Sequence, residues 1–290
     1  MDHSVRSTIK NRSTPLDRNF IKSILFSVLK ATLHLHRSHV IHRDIRPDNV
    51  LLGSENSVKL AGFSSAVYSN QKLGNDSQFF PAPTNFQDQL YTAPEVLLDQ
   101  RTYGPEMDLW AIGCLFYELL TLETLFNGKS VSDQLHKMNV CLGTPDYRVM
   151  GSLIQSGTQG FKFNENLFGF GFHKLLRKNG LTDPDLSLEV DLLENLLAWD
   201  ADRRLTAEEA LCHEYFGDLV NFKDVKNKRL FGTLVYEPKF STKPRARLLG
   251  LSRNANYSDI YRMEKKEAKG NSNNIFQSQK KLIQSQPDQG

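Results

Sequence analysis

Apolar residues fall at helical spacing over Phe20, Ile21, Ile24, Leu25, Val28, Leu29 and Leu33, with Pro15 and Asp17 just ahead as entry signals, so the pattern predicts an amphipathic helix. Two short apolar runs, 50–52 and 58–60, flank Gly53, Ser54, Glu55 and Asn56 and predict a small hairpin. Residues 64–90 are polar, with Pro81 and Pro83, and predict a loop of a length that points to function or mobility. Residues 109–120 are apolar almost all round, which predicts a helix buried at the centre of a helical layer. Leu192, Leu193, Leu196 and Leu197 mark another helix, and Thr206 with Glu209 forms a capping box for a last one ending near His213. The predicted order is helix, hairpin, long loop, then helices only.

Composition narrows the classes this pattern can serve. With 39% hydrophobic and 24% charged residues, the chain is globular in type and excludes collagen-like, wholly disordered and disulfide-scaffold proteins. Its three cysteines, Cys114, Cys141 and Cys212, are unpaired in spacing and odd in number, which supports neither a disulfide framework nor a zinc ribbon and implies a reducing compartment. The 109–120 run contains Glu118 and is shorter than the roughly 20 residues of a membrane span, and residues 1–19 lack the apolar centre of a signal peptide. A soluble protein, cytoplasmic or nuclear, is expected, with no membrane contact. Charge divides the chain: residues 1–216 carry a net −5 and residues 217–290 a net +8 within the overall +3. The second part has little apolar periodicity to offset its ordering entropy, so 217–290 reads as a basic, largely disordered tail. Within it, Arg247-Leu248-Leu249 and the basic run 226–229 are short signals of a kind common by chance, and nucleic-acid binding is not expected.

Chemistry concentrates in His42-Arg43-Asp44-Ile45-Arg46-Pro47-Asp48-Asn49, between the first helix and the hairpin. An Asp followed five positions later by an Asn, in this setting, resembles the catalytic loop of eukaryotic protein kinases. The resemblance implies Asp44 as the base that receives a substrate hydroxyl proton, Arg46 in place of the loop lysine, and Asn49 as a magnesium ligand. Further kinase-like features follow in order: Ala93-Pro94-Glu95, Asp108-Leu109-Trp110-Ala111-Ile112-Gly113, and Arg204. The family implies structural roles for His42, Arg43 and Asp108 and a salt bridge between Glu95 and Arg204. Residues 125–145, from Leu125-Phe126-Asn127-Gly128 to Gly143-Thr144-Pro145, are similar to the corresponding part of cyclin-dependent kinases and their mitogen-activated relatives. The implied fold is mainly α: a kinase-like C-terminal lobe over 1–216 with a small β-hairpin, its N-terminal β-lobe absent, and Met1-Asp2-His3 similar to the hinge that joins the two lobes.

Several departures bear on activity. The magnesium-binding Asp-Phe-Gly triplet should follow the hairpin, and the sequence there reads Gly62-Phe63-Ser64, without the anionic metal ligand. Asp88 stands where relatives carry a threonine near the catalytic Asp, and Thr92 where the cyclin-dependent group carries an arginine. The expectation is therefore a pseudokinase-type scaffold or regulator without magnesium-ATP for this chain alone. The alternative is a serine/threonine kinase of the cyclin-dependent group using magnesium-ATP when an N-terminal lobe is present. Partners expected are a protein ligand or protein substrate, a cyclin-like partner among them, and Thr84 is the loop position that matches the group's phosphorylated threonine, with Ser77 second. His34, His36, His39 and His42 lie too close along one helix end to converge on a tetrahedral metal and are expected to be ordinary helix and loop histidines.

Overall fold

The computed structural model describes residues 3–10, 12–54, 57–69, 86–98, 104–154, 161–164, 167–181, 183 and 185–219. The chain opens with β1 (His3–Ser4) and α1 (Val5–Lys10), then α2 (Arg18–Arg37). Asp17 caps α2 by accepting from the Phe20 amide at 2.9 Å, and the stripe Ile21, Ile24, Leu25, Val28, Leu29 and Leu33 is buried. A left-handed residue, His39 at φ 58°, turns the chain into β2 (Val40–Ile41). A 3-10 turn at Pro47–Asn49 leads into β3 (Val50–Leu52) and β4 (Val58–Leu60), and β5 (Val67–Tyr68) follows.

The strands form two small antiparallel sheets. One runs β1-β3-β4, with His3 opposite Leu52 and Val50 opposite Leu60; the other pairs β2 with β5, Ile41 opposite Val67. The expected hairpin forms as β3 and β4, and among the described residues β1, β2 and β5 bring the number of short strands to five. Three of them span two residues each, too few for period-two alternation to show in a sequence. The chain start is likewise not featureless: Val5 and Ile9, four apart on α1, are buried.

Helices make up the rest: α3 (Pro94–Leu97), α4 (Glu106–Thr121), α5 (Val131–Leu142), α6 (Tyr147–Ile154), α7 (Phe172–Lys178), α8 (Ser187–Leu196) and α9 (Ala207–Leu211). Every residue of α4 from Met107 to Thr121 is buried, as an all-round apolar helix requires. It packs on α2 and α8. Gly113 permits the close approach to α8, because a Cβ there would lie 2.7 Å from Leu197 Cγ. Thr206 and Glu209 close the capping box at the start of α9, Glu209 N–H to Thr206 Oγ1 at 3.2 Å and Thr206 N–H to Glu209 Oε2 at 2.8 Å. Among the described residues no helix is long and apolar enough to cross a membrane.

Candidate functional site: the 42–49 loop

The loop between β2 and β3 is held by a carboxylate from the first turn of α4. Asp108, 1% exposed, accepts from the backbone N–H groups of His42 at 2.9 Å and Arg43 at 2.8 Å, and its Oδ2 lies 2.8 Å from His36 Nε2. A carboxylate there also meets the positive end of the α4 dipole. These bonds stabilise Arg43 in the left-handed region, φ 68°, a conformation that costs an L-residue about 1–2 kcal/mol. The reversal at Arg43 sends Asp44 out of the core.

His42 is fully buried and joins the two strands' loops. The Asp44 amide donates to His42 Nδ1 at 3.2 Å, so the proton sits on Nε2, which donates to the carbonyl of Ala61 at 2.9 Å. Phe63 packs edge-on against the His42 ring, with centroids 4.8 Å apart. Asn49 closes the loop: its Nδ2 donates to the Asp44 carbonyl at 2.8 Å and to Asp44 Oδ2 at 2.7 Å, while the Ala61 amide donates to the Asn49 carbonyl at 2.8 Å. Arg46 Nε lies 3.1 Å from Asp48 Oδ2. Burial raises the Asp48 carboxyl, but Arg46 and Arg6 outweigh it and hold the group below the usual carboxylate range.

Gly62 follows at φ 81° and ψ 44°, and a Cβ placed on it would fall onto the Asn49 carboxamide. Gly62 brings no side-chain oxygen, and the amide of Asn49 is turned to Asp44. These residues therefore do not fit a magnesium ion held jointly by a carboxylate and an amide oxygen. Among the described residues there is also no group of three or more His, Cys, Asp or Glu able to hold a metal ion. The small cavity beside Asp44, about 10 Å³ and lined in part by Arg43, Tyr91, Thr92 and Met107, is too small for a ligand.

Below the loop Glu95 and Arg204, 3% and 4% exposed, pair side by side at 2.6 and 2.7 Å. Arg204 also donates to the Ala198 carbonyl at 2.9 Å and stacks 4.9 Å above Trp110. That fork ties α3 to the segment before α9. Thr84 and the side chain of Asp88 lie outside the described residues, as do residues 220–290, most of the expected tail.

One group of residues escaped sequence reasoning. Arg6 of α1 donates to Glu118 Oε1 at 2.5 Å, to the Tyr91 hydroxyl at 2.6 Å and to Asp48 Oδ2 at 3.3 Å, and Tyr91 in turn donates to Glu118 Oε2. Burial, then the Glu118 carboxylate, push the Tyr91 hydroxyl well above the usual phenol range, so it remains a donor. The available signal was Glu118 itself, the one carboxylate inside the apolar run 109–120, which must find a partner.

Against this geometry stand the comparisons. The protein kinase domain family matches residues 1–216. Similar proteins include the human MAPK/MAK/MRK overlapping kinase, 34% identical over 218 residues, which cover 74% of this chain and 48% of that protein. Cyclin-dependent kinase G-1 of Oryza sativa subsp. indica is 31% identical over 225 residues, 76% of this chain and 31% of the relative. Mitogen-activated protein kinase hog1 of Aspergillus clavatus is 33% identical over 204 residues, 70% and 52% respectively. The chain spans about half or less of the length of these relatives. The family match begins at residue 1, with β1 and α1 inside it, and so corrects the fold class expected from the sequence, a C-terminal lobe whose N-terminal β-lobe is absent.

Proposed function

We propose, from the premise that this chain belongs to the protein kinase domain family, that it is a serine/threonine kinase-type domain whose substrate is a protein hydroxyl and whose transfer is weakened at position 62. Relatives named as cyclin-dependent and mitogen-activated kinases support the group, and with it a protein substrate and a cyclin-like partner. Asp44 is the base that takes the hydroxyl proton, kept in place by the Asp108-bonded turn. Arg46 keeps positive charge on the loop, as the resemblance implies for the lysine position. Magnesium-ATP is the phosphate source that such relatives imply, but with Asn49 turned to Asp44 and glycine at position 62 this loop does not supply the carboxylate-and-amide pair that would hold the metal.

The observation that carries the reading is Asn49 lying on Asp44 with Gly62 behind it. This keeps the base and the amide of the loop together while removing the carboxylate next to them. A second reading, protein binding without transfer, is favoured by the same bond, because Asn49 already occupies the base.

The experiment is incubation of the full chain with magnesium-ATP and a library of Ser- and Thr-containing peptides, with phosphopeptides counted by mass spectrometry. Slow transfer that disappears in Asp44→Asn is expected. In Gly62→Asp the new side chain supplies a carboxylate but is strained at φ 81° and displaces Asn49, so this change alone should not raise transfer. Peptide binding with no transfer in all three proteins would overturn the first reading in favour of the second.

A further inference from the structure

Glu118 has almost no contact with solvent, 1% exposed, yet sits one turn from the end of a helix that is otherwise nearly all apolar. A buried carboxylate in such a place is costly unless it is paired and hydrogen-bonded. Its partners come from two distant parts of the chain, Arg6 of α1 and Tyr91 just ahead of Ala93-Pro94-Glu95. The same guanidinium reaches a third element, Asp48, one residue from Asn49 and four from Asp44. Tyr91 and Asp44 also flank one small cavity. Three elements are thus clasped by one planar donor at the point where the 42–49 loop meets the segment before α3.

We propose that Arg6 is a positioning residue, whose guanidinium sets the placement of the 44–49 loop against residues 91–95 by bonding Asp48, Tyr91 and Glu118 together. The planar fork matters here, since Nε, Nη1 and Nη2 each serve a different acceptor from a separate nitrogen, a span that the single nitrogen of an ammonium does not cover. Its side chain is 30% exposed and borders a groove that also takes in Lys10, Asp48, Glu118 and Glu123, so once Arg6 is truncated an external cation of the same shape has a way to Asp48 and Glu118. The inference rests on reading Asp44 as the base, but its test needs no turnover, so failure of phosphoryl transfer and failure of the clasp are distinguishable.

Hydrogen exchange on the full chain, comparing the natural protein with Arg6→Ala and Arg6→Lys, tests it. In Arg6→Ala, exchange should rise by about tenfold or more in both 44–50 and 89–97, the effect expected when charge-assisted bonds to a buried carboxylate are lost. Ethylguanidinium at millimolar concentration should reverse the rise in both segments, whereas ethylammonium at equal ionic strength should not, and Arg6→Lys should protect only in part. A rise confined to 5–10, or equal action of the two cations, would show that Arg6 only anchors α1 and would overturn the proposal. Should Arg6→Ala not fold, Tyr91→Phe removes only the shared hydroxyl. Loosening at 44–50 in that variant supports the clasp, and unchanged exchange there overturns it.

Discussion

Arg43 at φ 68° and Asp108 beneath it are two halves of one arrangement: a strained backbone and the carboxylate that stabilises it. Truncating Asp108 to Ala leaves the buried His42 N–H and the partly buried Arg43 N–H without their acceptor, at about 1–3 kcal/mol for a buried group. Urea unfolding of Asp108→Ala should therefore show a loss of about 3 kcal/mol or more. Glu95 and Arg204 obey a different logic, because each compensates the other's buried charge. Removing either one should cost about 3–5 kcal/mol, and removing both should cost less than the sum, which a double-mutant cycle on the unfolding free energies checks. At this scale the sequence was legible where spacing is local. Asp44 and Asn49, five apart, could be picked out by motif, whereas the bond from Arg6 to Glu118 joins residues 112 apart and leaves no periodic trace. Nor does spacing say that Asn49 rests on Asp44; that follows from the missing Cβ at Gly62.

Long elements with a strong period were readable, and short ones were not. The stripe on α2, the all-apolar α4 and the capping box of α9 each show in the order of residues, because one face or one cap repeats a fixed offset. The strands β1, β2 and β5 owe their existence to a neighbour's free edge rather than to their own sequence. Gly113 shows how packing overrides propensity within an element. Alanine in a helix interior is favoured over glycine by about 1 kcal/mol. Here, however, the added methyl meets Leu197, itself 2% exposed and hemmed in, and overpacking costs typically about 1–3 kcal/mol. Gly113→Ala should therefore be neutral to destabilising by about 2 kcal/mol in thermal or urea unfolding, never stabilising. A gain would mean that α4 and α8 are not packed as closely as described.

Over the described molecule, burial governs the thiols. It pushes Cys141 up to about 12, Cys212 up to about 11 and Cys114 well above its usual value. At pH 8 a thiol reagent should leave the three cysteines of the folded protein nearly untouched and modify all of them in urea. Each thiol is more acidic unfolded than folded, so stability should fall as pH rises from about 9 towards 11, where the unfolded state has released protons that the folded state retains. At the acid end the sign reverses for Asp48. Its depressed carboxyl contributes stability above the ordinary carboxylate range, and that contribution is lost as pH falls through the folded value. The Arg6–Glu118 and Glu95–Arg204 pairs also impose an order on synthesis. Glu118 needs an arginine made 112 residues earlier, but Glu95 needs one made 109 residues later. A nascent chain emerging from the ribosome therefore carries Glu95 uncompensated until Arg204 has cleared the exit tunnel, and the helices already made around it cannot lock before then. Stalled chains with 198 residues exposed should be cut readily by protease within 91–98, around Glu95, and chains with 219 exposed should resist there.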